Sequence, residues 1–151
     1  MMAKRHLTEP AKPKLLVLDE TTIDPSCLET FPYEHPGKEV VVEIDTDEFT
    51  AVCPWSGLPD FGRVTIRYAP RTRVLELRSF KFYLLTYRNV GIYQEHAARR
   101  LLDDLVRVTR PRWMELSLDY KIRGGVHTVC RATAGGGGAR MHRGERGRSA
   151  R

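Results

Sequence analysis

Between residues 63 and 120 the spacing of the apolar side chains changes twice, which excludes a plain helix bundle and a plain β-sandwich. Residues 63–70, RVTIRYAP, set Val64, Ile66 and Tyr68 against Arg63, Thr65 and Arg67, the two-residue period of a strand with one buried face. From Ser79 the period lengthens. Phe80, Tyr83, Leu84 and Tyr87 fall at i, i+3, i+4 and i+7, one stripe of a helix for which Ser79 is a candidate cap. Asn89 and Gly91 interrupt that pattern, and a second helix is predicted over 93–108. Its stripe is Ala98, Leu101, Leu102, Leu105 and Val106, with Arg99, Arg100, Asp103 and Asp104 placed away from it and Pro111 marking its end. RWMELSLDYKI (112–122) then alternates again through Met114, Leu116, Leu118 and Tyr120. After Gly124 and Gly125, VHTVCRA continues that strand or begins another.

Upstream, EVVVEIDTDEFTAV (39–52) is β-branched and partly alternating, a further strand, while TRVLEL (72–77) is ambiguous. The order strand, strand, helix, helix, strand, strand predicts an α+β domain: an antiparallel four-stranded sheet with both helices on one face (ββααββ). A chain of 151 residues is long enough for one such domain with its own core. The boundaries expected are a poorly ordered arm over 1–30, with a short apolar stretch LLVL at 15–18, a folded domain over 31–130, and a disordered Gly/Arg-rich tail over 131–151.

The net charge of +6 suggests a nucleic-acid partner until its distribution is read. After residue 130 there are six arginines and one acid, a net +5, so residues 1–130 carry only +1. The basicity belongs to the tail. No apolar run reaches the roughly 18 residues that span a bilayer, and MMAKRHLTEPAKPK lacks the apolar region of a secretory signal, so a cytoplasmic location is expected. Three cysteines, Cys27, Cys53 and Cys130, form no CxxC pair, and His35, His96 and His127 show no ligand spacing with them; neither a disulfide framework nor a metal site is expected.

Three stretches could carry chemistry. In EFTAVCPWSGLPDFG (48–62), Cys53 ends a strand-like run and opens a turn before Pro54, where a sulfur is exposed rather than packed. Asp60 follows seven residues later in the same loop, so a thiolate nucleophile and a carboxylic acid that protonates the atom gaining charge could face one pocket. The same spacing fits an inert core thiol and an aspartate capping its own turn. In ELRSFKFYLLTYRN (76–89), Arg78, Ser79 and Lys81 gather at a helix N-terminus, which favours a phosphate, or they are the solvated fringe of an amphipathic helix. No GxGxxG or Walker loop accompanies them. In IYQEHAARR (92–100), Glu95 sits in a first helical turn, a place acids prefer on dipole grounds alone, and where a carboxylate could also pair with the amide-like edge of a heterocyclic base.

Taken together, four elements in order resemble the unimodular QueF family, NADPH-dependent 7-cyano-7-deazaguanine reductases of the tunnelling fold. They are Glu76-Leu77-Arg78-Ser79-Phe80-Lys81-Phe82-Tyr83, FTAVCPWSGLPDFG around Cys53 and Asp60, YRNVGIYQE leading to Glu95, and the Arg123-Gly124-Gly125 run. The resemblance spans roughly residues 30–130. It implies that Cys53 attacks a nitrile carbon to form a covalent thioimide, that Asp60 donates the proton, and that two NADPH complete reduction to 7-aminomethyl-7-deazaguanine in queuosine tRNA-modification biosynthesis. It further implies substrate contacts at Leu75, Glu76, Leu77, Gln94 and Glu95, cofactor contacts at Arg78, Ser79 and Lys81, and a homo-oligomer of stacked pentameric rings with sites at subunit interfaces. Gln94 stands where many members have histidine, and Arg78 where the signature has lysine. Two other readings are a related amidinotransferase that forms the thioimide without hydride transfer, and an RNA-binding module using the basic tail.

Overall fold

The computed structural model describes residues 13–136. Six strands and two helices follow in the order β1 (Thr30–Pro32), β2 (Val42–Val52), β3 (Pro59–Ala69), β4 (Arg73–Leu75), α1 (Leu77–Leu85), α2 (Gln94–Thr109), β5 (Trp113–Tyr120) and β6 (Val129–Gly135). The expected four-stranded sheet is present, antiparallel throughout in the order β2-β3-β5-β6. The stretch 72–77, ambiguous as sequence, splits: Arg73–Leu75 pairs with β1 in a second, two-stranded sheet, and Leu77 begins α1.

The alternation in β3 and β5 translates directly into faces. Val64, Ile66, Tyr68, Met114, Leu116 and Leu118 are buried against the helices with Leu101, Leu102 and Leu105 of α2. The opposite face is charged, and Arg63 pairs with Asp45 at 2.9 Å and Arg67 with Glu43 at 3.0 Å. Strand β2 keeps step only because it breaks step once. Its register against β3 shifts between Thr46 and Phe49, so Val42 and Ile44 before the bulge and Phe49 and Ala51 after it all face the core. That shift explains why 39–52 alternates only in part.

Several expectations need correction. Helix α1 is capped by Glu76, whose carboxylate accepts from the amides of Arg78 at 2.9 Å and Ser79 at 2.7 Å; Ser79 lies inside the helix. A carboxylate reaches two orphan amides at once, which a serine hydroxyl cannot. Asp104, placed on the polar side of the second helix, is wholly buried. It accepts from Tyr83 Oη at 2.7 Å, Arg100 Nε at 2.7 Å and Arg107 at 2.9 Å, while Tyr87 donates to Tyr83 at 2.8 Å. Four polar groups make that burial tolerable and tie α1 to α2.

The arm expected to be poorly ordered over 1–30 is docked from residue 13 on. Two short 3-10 turns, Glu20–Thr22 and Pro25–Cys27, are capped by Asp19 and Asp24, and they deliver Ile23 and Leu28 into the core. Likewise, β6 continues to Gly135, so the first five residues of the expected tail are strand. The remainder of both termini lies outside the described residues.

Candidate active site

The Cys53 turn is a tight loop closing the β2–β3 hairpin. Cys53 N–H donates to Leu58 O at 2.9 Å and Gly57 N–H to Cys53 O at 2.8 Å, with Gly57 at φ 72°, a conformation glycine adopts without penalty. Pro59 and Asp60 are not in this loop, as the sequence suggested, but are the first residues of β3, opposite Val52 and Ala51. The hairpin therefore folds the carboxyl back alongside the strand that leads to the cysteine. Asp60 is only 6% exposed, and its Oδ1 accepts from Arg123 Nη1 at 2.7 Å.

The sulfur is half-buried. Its pKa is held below the ordinary thiol range, chiefly by the Ser56 hydroxyl and backbone amide, which outweigh the opposing effect of burial, with smaller help from the Trp55 amide and the Arg123 guanidinium. Cys27 and Cys130 are shifted the other way, in both cases mainly by burial. Of the three thiols Cys53 alone sits in surroundings that favour the nucleophilic form. Arg123 donates to Asp60 and is the smallest of the influences that lower the Cys53 pKa, so one cation bears on both the expected acid and the expected nucleophile.

Arg123, Ser56 and Tyr120 carry no role in the sequence reading. For Arg123 a signal was present: Gly124 and Gly125, at φ 58° and 77°, form a two-residue turn across which Arg123 and Val126 exchange both backbone hydrogen bonds at 3.1 Å. Consecutive glycines with positive φ mark such a hairpin turn. It fixes the base of the arginine that meets Asp60. Tyr120 is buried, its pKa is raised mainly by that burial and then by the charges of Cys130, Asp60 and Glu95, and its phenol reaches Gln94 O at 3.5 Å.

Gln94 and Glu95 reach this site through backbone pairing. Ahead of α2, Val52 N–H donates to Val90 O at 2.9 Å and Ile92 N–H to Val52 O at 3.1 Å, so the segment entering the helix is stitched to the residue before Cys53. Glu95 is exposed in the first turn of α2 and lines a groove of about 600 Å³ with Cys130 and Arg131. The structure thus groups Cys53, Asp60, Gln94 and Glu95 on one side of the domain.

The other six expected site residues lie around the start of α1. Leu75 is 1% exposed and its N–H donates to Tyr68 Oη at 3.0 Å, while the Leu77 side chain is 51% exposed. Glu76 is engaged by the helix amides it caps, which hold its carboxyl below the usual range, that of Ser79 most strongly. Ser79 is buried, donating to Glu76 O at 2.8 Å and accepting from Glu29 N–H at 2.9 Å. Arg78 and Lys81 line an apolar groove of about 460 Å³ between β2 and α1, with Ile44, Phe80, Phe82 and Leu85. No hydrogen bond or ion pair among the described residues joins this group to the Cys53 group.

Comparison with known proteins gives a consistent picture. A protein from Caldicellulosiruptor bescii named NADPH-dependent 7-cyano-7-deazaguanine reductase is 54% identical over 106 residues, 70% of this chain and 81% of its own length. One of the same name from Chloroherpeton thalassium is 43% identical over 109 residues, 72% of this chain and 94% of its own length. Among solved structures, the archaeosine synthase QueF-Like in its apo form superposes with a TM-score of 0.60 at 29% identity, covering 64% of this chain and 94% of that one. The tunnelling-fold expectation is borne out by that likeness. The family described as QueF-like protein matches residues 59–137, from the start of β3 past the end of β6, and the chain belongs to that family.

Proposed function

We propose that this chain is an oxidoreductase that reduces the nitrile of 7-cyano-7-deazaguanine to the primary amine 7-aminomethyl-7-deazaguanine in queuosine biosynthesis. The observation that carries the reading is the Cys53 turn: half-buried Cys53, its thiol held towards the ionised form, at the end of the strand paired with the buried Asp60, whose carboxyl Arg123 holds. The relatives' name supplies the reaction class, and the chain's own residues supply a way to perform it.

A nitrile is a poor hydride acceptor. As the Cys53 thiol passes its proton to Asp60, the sulfur adds to the nitrile carbon, forming the C–S bond and moving an electron pair onto nitrogen, and Asp60 hands that proton on to the nitrogen to give a thioimide. Arg123 holds the Asp60 carboxyl in place for this transfer. The Glu95 carboxylate accepts the paired N–H groups of the heterocycle, and Gln94 beside it offers an amide to the same edge. NADPH, when bound, supplies the hydrides that reduce the activated carbon, two equivalents in all. Arg78 and Lys81, two cations on the rim of an apolar groove, fit a phosphate-bearing cofactor, whereas the Ser79 hydroxyl is already engaged on both sides and contributes by holding the helix start.

The separation of the two groups of residues within one chain is met by assembly. In this reading a second copy brings its α1 groove to the Cys53 side, in stacked rings of five. The exposed apolar side chains on both sides are the contact surfaces: Trp55 at 88%, Leu58 and Ile122 near the cysteine, and Phe82 and Leu85 on α1. The cytoplasm, where thiols stay reduced, suits a cysteine nucleophile.

The reading is tested by exposing the protein to 7-cyano-7-deazaguanine without NADPH and measuring its mass. The expected result is a gain of one substrate mass confined to the peptide containing Cys53, lost from Cys53→Ala. An adduct that forms but is never reduced by added NADPH would favour the amidinotransferase reading instead, for which the 29% identity to the archaeosine synthase is the specific motive.

A further inference from the structure

Residues 15–18, the apolar stretch that the proposed reaction leaves without a role, lie across the back of the site. Leu18 N–H donates to Asn89 O at 2.7 Å and Gly91 N–H donates to Leu18 O at 2.9 Å, a parallel pairing of Leu18 with Val90. Residues 89–92 are thereby held from two sides. The arm pairs with one side, and Val52, the neighbour of Cys53, pairs with the other.

The side chains of the arm complete the link. A methyl group placed on Gly91 would lie 2.6 Å from Val17 Cγ1, and one placed on Gly57 would lie 3.7 Å from Val17 Cγ2 and 3.2 Å from Leu15 Cδ1. Gly57 belongs to the Cys53 loop, and Gly91 to the segment that delivers Gln94 and Glu95. Val17 therefore leaves room only for glycine at 91 and lies within ordinary contact of position 57, where Leu15 packs more tightly.

From this geometry we infer that residues 15–18 are a positioning strap. They lock the nucleophile loop against the entry to α2, so that the sulfur of Cys53 and the carboxylate of Glu95 are held at a set separation before substrate arrives. None of these residues touches a reacting atom; Leu15, Val17 and Leu18 act through Gly57 and Gly91, while Leu16 faces outward. The inference rests on the nitrile-reductase reading for what the two halves bind, but the mechanical link stands on the arm's own contacts.

A pair of substitutions isolates the strap. Gly91→Ala introduces the clash with Val17 Cγ1 at a residue whose φ is not in the left-handed region, and the other neighbour of the added carbon, Pro54, is at an ordinary 3.5 Å. Val17→Ala removes the clashing methyl. In the full-length chain Gly91→Ala is expected to slow adduct formation about 10- to 100-fold, the range associated with a misplacement of about 1 Å. It should also raise the pH midpoint at which iodoacetamide labels the Cys53 peptide, because a shifted loop loses the Ser56 and Trp55 donors. Gly91→Ala/Val17→Ala is expected to return to the level of Val17→Ala alone, and Leu16→Asp, on an outward-facing arm residue, to match the unsubstituted protein in both assays. Leu18→Pro, which deletes the donor to Asn89, should reproduce the Gly91→Ala defect.

A Gly91→Ala protein with unchanged labelling midpoint and adduct rate would overturn the strap, as would a defect that Val17→Ala fails to relieve. If the unsubstituted protein formed no adduct, the function proposed above would fail, while the labelling midpoints would still decide for or against the strap.

Discussion

The Cys53 turn and the start of α1 carry the two densest runs of expected site residues, and they are built on opposite principles. Around Cys53 the polar groups are engaged: buried Asp60 on Arg123, the thiol lowered in pKa chiefly by Ser56, and the hairpin, the RGG turn and the entry to α2 each fixed by backbone hydrogen bonds. Around α1 the helix consumes its own polar groups, with Glu76 capping and Ser79 bracing, and leaves Arg78 and Lys81 free at the rim of a groove. The first arrangement suits bond making, where small displacements are costly. The second suits capture of a charged molecule that must also leave, since exposed cations attract without demanding one geometry.

That contrast can be broken by substitution, and the effects should fall in order. Cys53→Ala is expected to lower NADPH turnover by at least about 10⁴-fold and abolish the adduct, because the covalent route has no substitute nucleophile; absorbance of NADPH measures it. Asp60→Asn should cost about 10²- to 10⁴-fold, with formation of the adduct slowed more than its reduction. Equal losses in both steps, followed by rapid mixing, would remove Asp60 from the acid role.

Lys81→Ala should raise the KM for NADPH about 10-fold, near 1.4 kcal/mol, and leave the adduct rate with the nitrile alone unchanged. If adduct formation falls as well, the two regions are not divided between binding and bond making. The smallest effect concerns pH. Because the Cys53 pKa is lowered, its thiolate persists as pH falls through the range where ordinary thiols are protonated, whereas the raised pKa values of Cys27 and Cys130 delay their ionisation as pH rises. Iodoacetamide near about pH 7 should therefore label Cys53 first, and Ser56→Ala should move its midpoint upward.

Much of this was legible in the sequence because it depended on local pattern. The alternations at 63–70 and 112–120 became the two central strands, and the i, i+3, i+4 stripes became α1 and α2. The turn at Cys53 announced itself through Pro54 and Gly57. Pairings between distant residues were hidden. Asp104 looked like a solvated acid because the tyrosine and arginines that satisfy it lie one turn and one helix away. Ser79 resembles a cap until Glu76, three residues earlier, is seen to hold both free amides. The apolar content of 13–30 is too sparse to predict docking, yet Ile23 and Leu28 each fill a place that only the assembled core provides.

By itself the sequence determined the period of each element, the order in which they follow, and which thiol opens a turn. These depend on residues within one or two turns of each other, where steric preference and side-chain alternation act without help from the rest of the chain. Only the tertiary structure decided that Arg123, 63 positions beyond Asp60, is the partner of its carboxyl, and that an arm near the N-terminus backs the loop from behind. Those choices arise from sheet register and from the bulge in β2, which set what lies opposite what and leave almost no trace in local composition.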